Sequence, residues 1–229
     1  MLEGARPSPN IWGHPGTYEI ENRAFDREGL VWSAIGDVVS WAEGDVLDIG
    51  CGTGFHLPHF AREARSVVGV EPHHDLAAIA RRRIRRLENV RVVEGLADAL
   101  PLEDASVDVA HARWAYFFGP GCEPGLAELD RVMRPGGTAV ILDNDPTRST
   151  FGGWFRQGFP DVDPAVVTAF WEGLGWSRVR VRTSWEFDTR EDLEAVVRIE
   201  LPPETAAAAL DEQSGLRVDY AINLWHRRF

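Results

Sequence analysis

VLDIGCGTG, residues Val46 to Gly54, sets three glycines at alternate positions directly behind an apolar run and an acid. Glycine adopts positive φ without strain and lets the backbone approach a ligand with no Cβ in the way. The stretch therefore reads as a strand, a tight turn and a bound molecule. A turn that uses glycine for geometry alone is the competing reading, and the framing by Asp48 and Thr53 weighs against it.

Outward from this turn, short apolar runs alternate with helical periodicity, the signature of βαβ units and a mainly parallel sheet. The runs are DVLDI (45–49), SVVGV (66–70), VRVVE (90–94), VDVAHA (107–112) and TAVILD (138–143). Between the second and third, Leu76, Ile79, Ala80, Ile84 and Leu87 recur at three- and four-residue steps and predict an amphipathic helix. Its arginines form a solvated face. RVMRPGG (131–137) ends a later helix with proline and glycine. The glycine turn then falls at the carboxyl end of the first strand, where open α/β sheets bind ligands.

The 229 residues suit one domain with a sizeable core. With 36 acidic and 24 basic side chains the net charge is −12, which opposes a nucleic-acid partner, since that affinity rests on basic groups neutralising phosphates. No apolar run approaches the 18 or so residues of a membrane span, and MLEGARPSPN lacks the apolar stretch of a signal peptide. A cytoplasmic protein without a membrane partner is expected. Cys51 and Cys122 have no framework spacing and read as thiols.

Dinucleotide turns use G-x-G-x-x-G to bring a pyrophosphate onto a helix N-terminus, whereas Gly50, Gly52 and Gly54 give G-x-G-x-G with Phe55 in the place of the third glycine. D-x-G-x-G-x-G after a first strand resembles the opening motif of class I S-adenosylmethionine-dependent methyltransferases. Glu71, closing the second strand, stands where that family holds both ribose hydroxyls. The run EGLADALPLEDASVDVAHA (94–112) is similar to the family's G-[DS]-A-x-x-L-P-[FL]-x-D-x-[ST]-[FV]-D-V pattern through Gly95, Ala97, Leu100, Pro101, Asp104, Ser106 and Asp108. Leu96 departs from it, standing where a polar residue commonly meets the adenine amino group. RVMRPGGTAVI resembles the family's approach to its fifth strand.

The resemblance is specific from about Asp45 to Asp143. It implies a Rossmann-like α/β fold with a seven-stranded, mostly parallel sheet of order 3-2-1-4-5-7-6, strand 7 antiparallel, flanked by helices. It implies S-adenosylmethionine as cofactor, contacted by Tyr18, Asp48, Gly50, Cys51, Gly52, Thr53, Gly54, Glu71, Pro72, Leu96, Ala97 and Ala112. Within a single domain, residues 1–44 are expected to form a lid and first helix, and 45–145 the cofactor-binding core. Residues 146–175 follow as an aromatic acceptor loop and helix, and 176–229 as the closing strands.

Methyl transfer from a sulfonium needs alignment above all. A base is required only where the acceptor must lose a proton. HARWAYFFGPGCEPG (111–125) lies beside the expected methyl position. His111 is the nominated base, since histidine titrates near neutrality, and His56 is the second choice. Arg113, Tyr116 and Trp154 are expected against the acceptor. In particular, the aromatic and glycine-rich stretch DNDPTRSTFGGWFRQGFPDVDP (143–164) reads as a long binding loop whose Phe151, Trp154, Phe155 and Phe159 wall the acceptor pocket.

The acceptor is expected to be a small organic molecule methylated at oxygen or nitrogen, by a monomer or homodimer. Asp143-Asn144-Asp145 imitates half of a magnesium site, but Arg113 stands where the other acid belongs, and no metal is expected. A nicotinamide oxidoreductase and a non-catalytic nucleoside-binding protein are the alternatives.

Overall fold

In the computed structural model, which describes residues 2, 4–116 and 119–229, each of the five apolar runs is a strand: β1 (Asp45–Ile49), β2 (Ser66–Glu71), β3 (Val90–Glu94), β4 (Val107–Arg113) and β5 (Met133–Asn144). These five pair in parallel, with Asp48 opposite His111 and Glu71 opposite Glu94. β6 (Ser177–Glu186) and β7 (Arg217–Arg228) complete one sheet of order β3-β2-β1-β4-β5-β7-β6. β7 runs antiparallel to both of its neighbours. The sheet is the one the motifs imply.

Helices cover both faces because the central strands are apolar on both sides. Val46 and Val109 join one cluster with α3 (Leu30–Val38), α4 (Leu57–Phe60) and α5 (His74–Ile84). Leu47, Ile49, Ala110 and Ala112 join the other, with α6 (Glu123–Val132) and α8 (Pro164–Gly173). Two short helices precede α3: α1 (Pro9–Gly13) and α2 (Pro15–Ala24). Asp26 ties this region to the far side of the sheet, accepting from Thr183 Oγ1 at 2.8 Å and Val31 N at 2.9 Å.

The stretch expected as a binding loop contains a helix, α7 (Thr150–Gly158), capped by Ser149, whose hydroxyl accepts from Gly152 N. Its buried face is Phe151, Trp154 and Phe155, spaced i, i+3, i+4. Phe151 stacks on Tyr220 of β7 with centroids 4.3 Å apart. These aromatics are core. Two further helices, α9 (Arg190–Glu200) and α10 (Pro203–Glu212), stand between β6 and β7. No helix among the described residues is long and apolar enough to cross a membrane.

Candidate functional site

The glycine turn takes the backbone that its spacing demands, with φ of +68° at Gly50, +55° at Gly52 and +73° at Gly54. Gly50 N and Cys51 N both donate to Val70 O, which fastens the turn to the end of β2. Gly52 N then donates to Glu71 Oε2 at 2.9 Å, while Glu71 Oε1 accepts from His73 N at 2.9 Å. Glu71 is buried, and burial raises its carboxyl above the ordinary glutamate value against the pull of these two backbone donors. Each oxygen keeps a lone pair for a further donor.

A cavity of about 300 Å³ opens over this turn. Its floor is Asp48, Gly50 to Thr53 and Phe55, one end is Glu71 and Pro72 with Leu96 to Asp98, and the other is Arg113 to Tyr116. Ile11, Trp12, Tyr18 and Asn22 from α1 and α2 close over it, and Trp12 lies 5.0 Å from the His73 ring. Tyr18 and Asn22, four apart on α2, present one face, and burial raises the Tyr18 phenol well above its usual range. Thr53 Oγ1 is hydrogen-bonded to Glu19, whose other oxygen takes Arg83 at 2.7 Å, so that α2 is tied to the glycine turn and α5. The Cys51 thiol also lines the cavity and is held protonated by burial and then by the charge of Asp48.

Four residues expected at the site lie elsewhere. Gly54 does not line the cavity: a Cβ there would stand 2.9 Å from Ala80 Cβ, so its role is to let α5 pack against the turn. Ala112 points into the opposite core cluster. Trp154 is fixed in the core by α7, away from the cavity. His111 is the main correction. Its ring is buried one pleat below the strand end, Nδ1 donates to Asp48 Oδ1 at 2.7 Å, and Phe60 packs against it at 5.2 Å. A base must reach the proton that it takes, and His111 does not line the cavity. It positions Asp48, which does.

His56 lines the cavity, but its Nε2 accepts from Arg113 Nη1 at 3.0 Å. Burial, and then the charge of Arg113, lowers its basicity well below the usual histidine range. It is therefore a neutral ring with its proton on Nδ1. Arg113 is clamped between the rings of Trp114 at 4.2 Å and Phe25 at 4.4 Å. Trp114 adopts φ +50°, which an aromatic residue holds only under tertiary constraint, and its Nε1 donates to Asn144 Oδ1 at 2.7 Å. Tyr116 closes this end, its hydroxyl 3.4 Å from Gly125 O.

Residues that sequence reasoning missed are Asn22, Ile11 and the stretches around Arg6 and Gly121. Only Asn22 carried a signal, its helical register with Tyr18. A second cavity, of about 590 Å³, lies between β5, β7 and α8 and is lined in part by Asp143, Asp145 and Asn223. Asn144 spends its side-chain oxygen on Trp114 and Tyr220, and Asp145 accepts from Thr147. Among the described residues no three His, Cys, Asp or Glu side chains are grouped to hold a metal ion.

Residues 47–141, which run from β1 into β5, match the profile of a family described as a methyltransferase domain. Over that stretch the chain is similar to this family. It is 27% identical over 159 residues to the demethylmenaquinone methyltransferase of Lactococcus lactis, covering 67% of this chain and 63% of that protein, so the chain spans under two thirds of that relative's length. The chain also superposes on solved structures. The YcgJ protein of Bacillus subtilis aligns with a TM-score of 0.63 at 18% identity, over 87% of this chain and 97% of that one. The geranyl diphosphate C-methyltransferase of Streptomyces coelicolor, solved with Mg2+, geranyl diphosphate and S-adenosyl-L-homocysteine, aligns with a TM-score of 0.57 at 17% identity, over 87% and 80%. At these identities the likeness is one of fold.

Proposed function

We propose that the protein is an S-adenosylmethionine-dependent methyltransferase acting on oxygen or nitrogen of a small organic acceptor, in the cytoplasm, as a monomer or homodimer without nucleic-acid or membrane partners. The observation that carries this reading is the convergence of the glycine turn and Glu71 on one cavity, with Gly52 N and Glu71 already joined. A buried carboxylate with free lone pairs suits a ribose diol, the Leu96 and Ala97 end suits a flat base, and Asp48 suits an ammonium. The bound cofactor would supply an electrophilic methyl group. Asp48, held by His111, and the turn backbone would fix the amino acid end, while α1 and α2 exclude water and orient the acceptor.

Neither His56 nor the two phenols of the cavity is set up as a base: His56 is engaged by Arg113, and burial keeps Tyr18 and Tyr116 protonated. Alignment is the working mechanism, and such positioning supplies up to about 7–11 kcal/mol of a barrier.

Calorimetry with S-adenosylhomocysteine and with NAD tests the proposal. Binding of the first and not the second is expected, with stabilisation of about 2.7 kcal/mol at 100 times the dissociation constant. Preference for NAD would return the oxidoreductase reading, and binding without labelled methyl transfer to any small acceptor would return the non-catalytic one. Gly52→Val forces a branched residue onto φ +55° with its Cβ 2.8 Å from Ile11, and S-adenosylhomocysteine should bind at least about tenfold more weakly.

Glu71→Gln keeps the shape and removes the charge, so binding should weaken by about 1–3 kcal/mol. The parent binds through the carboxylate, whose proton burial holds on to above the ordinary glutamate value. Its affinity should therefore fall on acidification starting at a higher pH than an exposed glutamate would give, and the Gln variant should lack that dependence. An unchanged affinity at neutral pH would remove Glu71 from the ribose site.

A further inference from the structure

The guanidinium of Arg113 has two buried nitrogens and, among the described residues, no counter-ion. Its Nη1 donates to His56, and among the described residues its Nε and Nη2 are buried with no hydrogen-bond partner and no acid in an ion pair with them. Buried charges are ordinarily paired, because an isolated one forfeits its hydration for nothing. The nearby acids are committed elsewhere. Asp26 accepts from Thr183 and Val31. Glu21 shares a hydrogen bond with Glu200 and makes no ion pair with Arg113, and burial, then the charge of Glu200, raises its carboxyl well above the usual carboxylate range against the pull of Arg113.

The guanidinium is also held in place. Trp114 and Phe25 stack against it at 4.2 and 4.4 Å, and Arg113 lines the cavity beside Tyr18, Asn22 and His56. What remains free is one edge of the fork, two adjacent N–H donors, the shape that takes both oxygens of a carboxylate. We propose that the Nε and Nη2 edge of Arg113 receives a carboxylate of the methyl acceptor, which makes the acceptor a small organic acid.

This rests on the methyltransferase reading above. A cofactor amino acid also carries a carboxylate, and the neighbours of Arg113 decide between the two sources. Apart from His56 they come from α2, Phe25, Trp114 and Tyr220 and not from the glycine turn, β2 or the Leu96 end. The acceptor's apolar part would lie against Trp114.

Trp114 makes tryptophan fluorescence the readout. The parent, saturated with S-adenosylhomocysteine, is titrated with benzoate, salicylate and phenylacetate and with the methyl ester of each. At least one acid should bind tenfold or more tighter than its ester. Arg113→Met, which keeps an unbranched stem between the two rings, should abolish that preference while S-adenosylhomocysteine binds within threefold of the parent. Arg113→Lys, which keeps the charge and loses the two-donor edge, should cut the preference at least fivefold and serves if the methionine variant does not fold.

Equal affinity for acid and ester in every pair overturns the proposal. So does a tenfold or greater loss of S-adenosylhomocysteine affinity in either variant, which would give the guanidinium to the cofactor's carboxylate. Failure of the methyltransferase reading shows separately, as an absence of S-adenosylhomocysteine binding to the parent, and the acid and ester pairs are then read on the free protein.

Discussion

His111→Ala will lower the free energy of unfolding by about 3–5 kcal/mol, the cost of removing one member of a buried pair and stranding the other. The stranded partner is Asp48, buried on the same face of the sheet, and alanine also leaves a hole beside Phe60 and Trp32. Urea denaturation reads this directly. If Asp48 then swings, the affinity for S-adenosylhomocysteine drops as well, while methyl transfer per bound complex changes little. A variant as stable as the parent, with a turnover number down by about 10²- to 10⁴-fold, would restore His111 as a general base.

The second large effect sits at the carboxyl end of β5. Asp143 is buried, and burial, opposed by the hydrogen bond from Asn144 N and reinforced by the charge of Asp145, pushes its carboxyl up to about 7. An unfolded aspartate ionises near 4, so between that value and about 7 the unfolded chain sheds a proton that the folded protein keeps. The folded state thus gains from this group only below about 4 and loses that gain as the pH climbs to about 7. Asn imitates the protonated acid and does not titrate. At about 1.4 kcal/mol per pH unit, Asp143→Asn should become more stable than the parent by up to ~4 kcal/mol as the pH rises, and the difference should level off above neutrality. Urea unfolding of both proteins at pH 5, 6, 7 and 8 checks it. A pH-independent difference would mean that Asp143 is ionised throughout.

The strands and the glycine turn were legible because their information is local. Alternate glycines, an acid at the end of β2 and runs of Val and Ile each state a backbone requirement within a few residues. His111 failed for a reason that sequence hides. Val109, His111 and Arg113 share one face of β4 by simple alternation, and depth along the strand decides that Arg113 reaches the cavity while His111 stops beside Asp48. The α7 segment failed differently. Phe151, Trp154 and Phe155 had helical spacing all along, but Gly152, Gly153 and the prolines on either side read as breakers. Arg113 was visible as a cation near the acceptor, yet its missing counter-ion is a property of packing from α2, Phe25 and β7.

The order of the sheet also governs how the protein is made. β7 lies between β5 and β6, and among the described strands β6 pairs with β7 alone. On the ribosome, β7 is the last of the seven strands to emerge. Until it does, β5 offers a bare edge and β6, with Val181 and Trp185 awaiting burial, has no mate. Unpaired edges of this kind recruit other chains. A chain truncated between β6 and β7 should therefore aggregate, since it carries β6 without its mate, whereas one ended before residue 177 lacks the orphan strand and exposes only the edge of β5.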